Sequence, residues 1–538
     1  MTRRPITPRD LGRRHPDLLT TGELQERLRL PPPYEDFNGS PPWAPLSDDA
    51  RERFAQVDGV LALGFPQPAT PAEEEALVER FLTGLRRLLS ADDNWAFLQP
   101  LQLSLEHCAR CLSCSDACPI FTASGGEEIY RPNFRAEALR AFVAASRRRG
   151  PAVLRRLAGR DVPVNWRSIG RLAELAYRCT LCRRCAQACP IGVDNGLITH
   201  EIRKLFSQEF GLAPAELHRD GSALQLRVGS TTGMGPAALR DAVEFIDDEM
   251  TEKTGWPVAT PIDQAGADIL VVHNAGEFVA WPENPGATAV VLNAAGVSWT
   301  LSSELLGYDA VNYGLWYDDA QFARVALRHA QVAKKLGVKK IVIAECGHAH
   351  KALTVVADRI FGVEYDVPRE SILTLLADLV CDSGRLKLDP ARNDFPVTLH
   401  DPCNIVRLMG IVEPQRRVVR AVCPDFREMA PHGVDNYCCG GGSGFAIMSP
   451  HNFADWRLSV AGRMKLKQVL EAFADRPDPA VRKYLCAPCS NCKGQLRDLL
   501  AFYHATERSG IHYGGLVELV ANALADLPRP FLEWNAAF

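Results

Sequence analysis

The spacing of hydrophobic positions changes along the chain and predicts different secondary structure in its two halves. Between residues 119 and 178, apolar positions recur three and four apart among Ala, Arg and Leu, as at 136–143 and 169–176. Such spacing in strong helix formers predicts amphipathic helices. Another helix is predicted at Pro71–Leu89, where Thr70 can cap a first turn that contains a proline and several glutamates.

The second half alternates short β-branched runs with helical stretches. Asp268–His273 and Lys339–Ala344 have the apolar composition of buried strands, and Asp319–Leu336 between them has helical spacing. Val397–His400 and Lys483–Leu485 repeat the strand composition nearer the C-terminus. Strands that alternate with helices predict parallel sheets covered by helices.

The strand-forming segments occur as an internal repeat. Ile269–Asn274 matches Pro396–Asp401, and Lys340 and Lys483 each stand six residues before a cysteine. The second copy carries many more cysteines than the first. We therefore predict two α/β repeats, of which the first is degenerate.

Composition limits the classes of protein that need considering. The 538 residues are 46% hydrophobic and 23% charged, and their formal net charge of −4 gives no reason to expect nucleic acid as a partner. Residues 1 to about 70 are rich in proline and show neither the helical nor the strand spacing of apolar residues, which predicts an irregular arm. Arg3 and Arg4 are followed by no apolar stretch, and no run of about eighteen apolar residues occurs. We therefore expect a soluble, cytoplasmic protein.

Eight of the seventeen cysteines form two groups with identical spacing, C-x2-C-x2-C-x3-C-P. The first group is Cys108, Cys111, Cys114 and Cys118, and the second is Cys179, Cys182, Cys185 and Cys189. Three cysteines at this spacing bend around one cubane [4Fe–4S] cluster, while the fourth reaches the other cluster. We therefore predict one cluster on Cys108, Cys111, Cys114 and Cys189 and another on Cys179, Cys182, Cys185 and Cys118. Zinc sites use separate C-x-x-C pairs instead.

The segment between the two groups is predicted to be helical, which favours an α-helical ferredoxin domain over the compact β-rich type. Residues 131–184 carry fourteen arginines and only three acidic residues. These cations are expected either to neutralise the negative clusters and raise their potential, or to form a docking surface for an acidic partner.

A second constellation of cysteines lies in the C-terminal copy. It comprises His400-Asp-Pro-Cys403, Cys438-Cys439-Gly440-Gly441-Gly442-Ser-Gly444 and Cys486-Ala-Pro-Cys489-Ser-Asn-Cys492. Adjacent cysteines can hold neighbouring irons, and the glycines allow close backbone approach and N–H donation to sulfur. A phosphate-binding loop would need a lysine followed by Ser or Thr after its last glycine, and neither follows here.

These motifs resemble those of heterodisulfide-reductase catalytic subunits of the cysteine-rich CCG-domain family, including the heterodisulfide-reductase-D-like proteins of membrane complexes linked to dissimilatory sulfite reductase. The resemblance extends from about residue 100 to the C-terminus. It implies one noncubane [4Fe–4S] cluster that cleaves disulfides. The catalytic ligands implied are Cys403, Cys438, Cys439, Cys489 and Cys492, with Cys486 as a reserve metal ligand and Gly440 and Gly441 beside the cluster. Which two of the last three cysteines close the set is left open.

The first copy lacks this set of cysteines. Gly276 stands at the position that corresponds to Cys403, and no cysteine pair follows it. Cys346, His348 and His350 are what is left. They are expected either to line the substrate side of the noncubane cluster or to be ordinary core or loop residues.

The resemblance also implies partners. Electrons would pass between a membrane complex, with a haem b subunit and further subunits, and a disulfide or trisulfide on a small sulfur-carrier protein. The chain would then attach peripherally to the cytoplasmic membrane. Neither flavin nor NAD is expected, because no G-x-G-x-x-G sequence follows a predicted strand. The direction of electron flow, the physiological substrate and the stoichiometry of the complex stay open.

Two other functions are compatible with these motifs. Related subunits carry electrons in glycolate, lactate or glycerol-3-phosphate dehydrogenases, but they usually keep two intact repeats, so the degenerate first copy disfavours this interpretation. A pure electron relay would use the C-terminal cysteines only to hold a structural metal.

The expected fold class is α + α/β. An N-terminal arm and helix (1–95) would precede an α-helical ferredoxin domain (96–215), a degenerate cysteine-rich repeat (216–395) and an intact repeat (396–538). Cys381 and Cys423 have no partner cysteines in these motifs and are expected to be buried hydrophobic residues.

Overall fold

The computed structural model describes residues 28–39, 64–126, 130–147, 164–305, 307–362, 367–448 and 456–534. Most of the predicted proline-rich arm lies outside the described residues. The described chain forms a helical region followed by two parallel β-sheets with their helices. The predicted α + α/β class is confirmed at this level.

Helices fill the first part of the described chain. The longest are Pro71–Leu88, Leu98–Glu106, Pro132–Arg147, Trp166–Ala176, Asn195–Phe210 and Ala223–Val228. Thr70 caps the first of them as predicted, since its hydroxyl accepts a hydrogen bond from the backbone N–H of Glu73 at 3.2 Å. The apolar faces enclose a core that includes Phe81, Ile169 and Phe206.

The first sheet has four parallel strands, β1 (Ile269–Val272), β2 (Trp299–Thr300), β3 (Lys340–Ile343) and β4 (Arg369–Ser371), in the order β2-β1-β3-β4. The helices around it include Pro236–Thr254, Glu283–Ala294, Asp319–Leu336 and Ile372–Ala377. Successive residues of β1 enter different cores, Val271 with Val290 and Val272 with Phe322. Both faces of the sheet are covered, which explains why β1 is apolar throughout.

The second sheet has strands β5 (Val397–Leu399), β6 (Phe426–Arg427), β7 (Lys483–Cys486) and β8 (Ile511–Gly514), in the order β6-β5-β7-β8. Its helices include Cys403–Leu408, Glu413–Val422, Arg463–Ala472, Ser490–Phe502 and Leu516–Asn522. The strand order matches that of the first sheet. Leu270 pairs with Ile341 in one sheet and Val397 with Tyr484 in the other, at positions that the sequence repeat aligns. An internal repeat would produce this arrangement.

The two sheets meet beyond the carboxyl ends of β3 and β7. The N–H of Ser490, in the segment after β7, donates to the carbonyl of Glu345, after β3, at 2.7 Å. Helices Glu283–Ala294 and Leu516–Asn522 pack against each other nearby. The loops that carry cysteines in the two copies are therefore neighbours.

The two isolated cysteines differ in their surroundings. Cys423 is buried in the apolar core of the second copy. The expectation for Cys381 was wrong, because it is exposed near the end of the helix Asp378–Asp382. Sequence context alone did not show which side of that short helix faces solvent.

Candidate iron–sulfur centres

The cysteines expected to share the first cubane line one cavity. These are Cys108, Cys111, Cys114 and Cys189. The backbone N–H of Val193 donates to the Sγ of Cys189 at 3.3 Å. Because Cys111 is exposed, this centre lies at the surface of the described chain.

The cysteines expected to share the second cubane line another cavity. They are Cys118, Cys179, Cys182 and Cys185. Burial raises the pKa of the Cys118 thiol to about 12, so an ionised thiolate there needs nearby positive charge or metal. Four arginines line the same cavity, namely Arg135, Arg178, Arg183 and Arg184. These guanidinium groups are placed for the neutralising role, the first of the two that the sequence left open.

Both cysteine groups bend around their cavities with the same backbone conformation. The residues on either side of the second cysteine have positive φ, Arg110 at 56° and Leu112 at 65° in one group and Leu181 at 51° and Arg183 at 61° in the other. Such conformations cost of order 1–3 kcal/mol each in non-glycine residues. They are needed because the loop must turn three thiols toward one point, as a cubane requires.

Five cysteines of the C-terminal copy form a continuous series of thiol contacts. Cys403 contacts Cys438, Cys438 contacts Cys439, Cys439 lies 3.5 Å from Cys492, and Cys492 contacts Cys489. We call these five residues the thiol chain. Hydrogen bonds from the neighbouring thiols hold the pKa of Cys438 and Cys439 below the ordinary value. The pKa values of Cys403 and Cys492 are raised instead, by their neighbouring thiols and by burial. Closely grouped thiols, some of which ionise readily, are the donors that an iron–sulfur centre requires, so the residues present fit such a group.

The glycine run after the cysteine pair supports the thiol chain in two ways. The N–H of Gly440 donates to the Sγ of Cys438 at 3.4 Å, and the N–H of Gly441 donates to Cys439. Gly440 also has a φ of 98°, and a Cβ there would lie 2.7 Å from the backbone nitrogen of Gly462. Glycine is therefore required both for the conformation and for the close approach of the backbone.

The second cubane cavity and the thiol chain are in direct contact. The side chain of Cys182 packs against the buried cluster that contains Cys438, and the neighbouring Cys438 thiol raises the pKa of Cys182. The buried guanidinium of Arg407 donates to the carbonyl oxygens of Cys182 at 2.8 Å and Val434 at 2.7 Å, and also to that of Asn436. One cation thus joins the helix that begins at the thiol chain to both cysteine motifs.

The geometry distinguishes the three candidates for the closing pair. Cys486 is the last residue of β7 and lies in the apolar core, apart from the thiol chain. Cys489 and Cys492 both belong to the thiol chain. Cys486 thus has surroundings unlike those expected of a metal ligand, and the structure favours Cys489 and Cys492.

The remnants of the first copy lie beside this site. The N–H of Gly347 donates to the Sγ of Cys489 at 3.3 Å, and burial raises the pKa of Cys346 to about 12. His350 bonds the carbonyl oxygen of Cys346 at 2.8 Å and the hydroxyl of Ser371 at 2.7 Å. Of the two roles expected for these residues, His350 fits that of an ordinary core residue, whereas Cys346 lies next to the thiol chain.

Sequence reasoning missed one residue at this site, His400. It follows β5 directly, is fully buried, and has a ring nitrogen within 4.8 Å of the thiols of Cys439 and Cys492. The signal was a histidine directly after a buried strand and three residues before the expected ligand Cys403. His400 was noted in the sequence as the start of the motif that ends at Cys403, but no role was assigned to it.

Comparison with known proteins matches the two cysteine-bearing regions separately. Residues 104–193 match the family described as a 4Fe-4S dicluster domain, and residues 397–497 match the one described as a cysteine-rich domain. Together with the thiol geometry, these matches define an iron–sulfur protein with a ferredoxin-like region and a cysteine-rich region. No solved structure matches the chain.

Several relatives of this chain are named as subunits of oxidoreductases. The chain is similar to the Hdr-like menaquinol oxidoreductase iron-sulfur subunit 2 of Archaeoglobus fulgidus, with 28% identity over 498 residues that cover 81% of this chain and 84% of that protein. It is also similar to one subunit of the dihydromethanophenazine:CoB–CoM heterodisulfide reductase of Methanosarcina barkeri, with 26% identity over 430 residues, 78% of this chain and 94% of that protein. A probable membrane-anchored ferredoxin of Chromohalobacter salexigens is 26% identical over 396 residues, 71% of this chain and 56% of that protein.

None of the helices in the described ranges combines the length and apolar character needed to cross a bilayer.

Proposed function

We propose that this protein is the catalytic iron–sulfur subunit of a heterodisulfide-reductase-like membrane complex. It would correspond to DsrK of the DsrMKJOP complex, linked to dissimilatory sulfite reductase. The partners would be a haem b subunit that exchanges electrons with quinone and a small sulfur-carrier protein of the DsrC type, at the cytoplasmic side of the membrane. Relatives named for menaquinol oxidation and for heterodisulfide reduction support the two ends of this transfer.

The contact between Cys182 and Cys438 carries the proposal. Cys182 belongs to the second ferredoxin-like motif and Cys438 to the thiol chain, and the two side chains pack close enough for the Cys438 thiol to raise the pKa of Cys182. Arg407 fixes the junction from both sides through carbonyl groups. A structural metal at the C-terminal cysteines would have no need to lie beside the ferredoxin-like motif, whereas electron transfer between two centres requires them to be close.

Cleavage of a disulfide consumes two electrons and two protons and yields two thiols. When bound, the iron–sulfur groups would supply one-electron carriers in the ferredoxin-like region and a sulfur-reactive centre at the thiol chain. The protein's own residues hold these ligand sets in contact and keep four of the five thiols of the chain buried. Cys403 is the half-buried member, so the substrate sulfur is proposed to approach from its side.

A cleft with basic walls lies on this side of the site. Arg183, Lys351 and Arg359 line it. Burial lowers the pKa of Lys351 to about 7, and the charge of the nearby Cys403 thiolate opposes that shift. The Cys438 thiol and burial raise the pKa of Cys403, and the Arg407 guanidinium opposes that shift, because positive charge next to sulfur favours thiolate over thiol. We therefore propose this cleft as the path by which a cysteine on a flexible arm of the carrier enters.

The test uses the purified, cluster-loaded chain reduced with dithionite and mixed with the carrier protein in its disulfide or trisulfide form. Release of thiols is measured in wild type, Cys438→Ala and Cys423→Ala. Cys423 is the matched control, a buried cysteine of the same copy outside the thiol chain. Wild type and Cys423→Ala should release thiols, and Cys438→Ala should release none although its cubanes still bleach.

Absence of thiol release from fully loaded wild-type protein would reject the proposal. A dehydrogenase-type function would instead appear as reduction of the cubanes by a flavoprotein partner without thiol release. The similarity to a probable membrane-anchored ferredoxin favours a pure electron relay as the alternative. Such a relay would exchange electrons with small redox proteins and remain active in Cys438→Ala.

A further inference from the structure

A buried histidine lies beside the thiol chain, and within the described part of the protein only one of its two ring nitrogens has a hydrogen-bond partner. His400 is fully buried, and a ring nitrogen lies within 4.8 Å of the Sγ atoms of Cys439 and Cys492. Among the described residues its Nε2 has no hydrogen-bond partner, whereas its Nδ1 lies 3.5 Å from the side-chain nitrogen of Asn436. A buried polar nitrogen without a hydrogen-bond partner costs free energy, so we expect a bound group, such as a cluster, to supply that partner.

The side chain of Asn436 determines which nitrogen of the ring carries hydrogen. Its Oδ1 accepts a hydrogen bond from the Nζ of Lys465 at 2.6 Å, and its other terminal atom faces the carbonyl oxygen of Asp401, which can only accept. The other terminal atom of the amide is therefore the NH2 group. That group donates to the carbonyl oxygen of Asp401 at 2.7 Å and directs its remaining hydrogen toward His400. Because the amide nitrogen only donates, the Nδ1 of His400 must accept.

A neutral imidazole that accepts at Nδ1 carries its hydrogen at Nε2. An Nε2–H group cannot bind iron, but it can donate to sulfur. We propose that the Nε2–H of His400 donates a hydrogen bond to a sulfur of the cluster held by the thiol chain, and that this bond raises the reduction potential of that cluster. The inference rests on the part of the proposed function that puts a cluster on these five cysteines.

The effect on the potential follows from charge. Reduction adds negative charge to the cluster and its sulfurs, and a donated hydrogen bond stabilises the more negative state. Asn436 and Lys465 act on the cluster through His400, because they fix the tautomer that makes it a donor. His400 is thus a positioning and tuning residue, distinct from the ligands.

The test compares His400→Leu and His400→Gln with His329→Leu in the cluster-loaded full chain. Glutamine keeps an N–H donor of similar reach, and leucine removes it. His329 is a matched control, since it is 1% exposed and lies on the helix Asp319–Leu336 of the first copy. Redox titration followed by electron paramagnetic resonance should show a more negative midpoint potential for the C-terminal cluster in His400→Leu, recovery in His400→Gln and no shift in His329→Leu. The cubane potentials should not change.

A second readout uses wild-type protein and so does not depend on how the variants fold. With 15N-labelled histidine, pulsed electron paramagnetic resonance of the C-terminal cluster should detect one weakly coupled nitrogen with a proton that exchanges in deuterated water. A strong coupling typical of iron-bound nitrogen would overturn the inference, as would no coupling at all or an unchanged potential in His400→Leu. These readouts need the cluster but no turnover. A loaded chain that releases no thiols would therefore reject the proposed function and leave the result on His400 standing.

Discussion

The approach of Gly442 to Thr180 tests how the two cysteine-bearing regions are joined. A Cβ at Gly442 would lie 2.5 Å from the carbonyl oxygen of Thr180, within the second ferredoxin-like motif. Ordinary contact begins at 3.4 Å, so Gly442→Ala requires the two backbones to separate by about 0.9 Å (3.4 − 2.5). Overpacking of this kind costs about 1–3 kcal/mol. Gly442 is absent from the glycines with positive φ, so the substitution perturbs the contact and adds no backbone strain.

We expect Gly442→Ala to lower the melting temperature and to slow electron passage from the cubanes to the thiol chain, while iron content changes little. Thermal unfolding by circular dichroism measures the first effect, and stopped-flow reoxidation of the reduced cubanes by the carrier disulfide measures the second. Gly362→Ala is the matched control, because a Cβ there meets no atom within 4 Å. Wild-type unfolding and transfer rates in Gly442→Ala would refute the idea that this turn holds the regions together.

Three further predictions concern the ligand sets. Anaerobically prepared protein should contain roughly twelve irons as three [4Fe–4S] clusters, and eight irons with full disulfide-cleaving activity would reject the third cluster. Cys111→Ser should stop electron delivery yet keep the thiol-induced paramagnetic signal of the C-terminal site, since the ligand sets are separate; loss of both signals would show that the regions depend on each other to form. Cys439→Ala should abolish turnover of a disulfide or trisulfide while dithionite still reduces the cubanes, Cys346→Ala should be milder and Cys423→Ala close to silent. An active Cys439→Ala beside an inactive Cys346→Ala would move the chemistry to the first copy.

Sequence patterns correctly predicted those helices and strands whose bounds depend on nearby residues, such as capping residues and runs of apolar side chains. The helix Asp319–Leu336 has the predicted bounds because Asp318 caps its first turn and Gly337 ends it in the left-handed conformation. The strand at Asp268–His273 was predicted as a run of apolar residues, and β1 forms within it, covered on both faces. Exposure on a short helix lacks such a signal, which is why Cys381 was misjudged.

Spacing alone could not choose among the last three cysteines or find the contact that joins the regions. Cys486, Cys489 and Cys492 are evenly spaced, but the first is still in β7, whose side chains are all buried, and the other two follow the strand where the chain turns. The Cys182–Cys438 contact joins positions 256 residues apart (438 − 182). Tertiary packing determines both the choice of cysteines and this contact, and the spacing of residues along the sequence carries no information about such packing.

The first sheet contributes to the site although its loops carry no counterparts of Cys403, Cys438 and Cys439. Its loop after β3 faces the loop after β7, so Gly347 can donate its N–H to the Sγ of Cys489. A Cβ on Gly347 would lie 3.3 Å from that sulfur, which leaves little room for a side chain. The loop after β3 therefore forms one wall of the site, and a larger residue at Gly347 would press on Cys489. The first sheet thus supplies backbone to the site and the second sheet supplies the thiols.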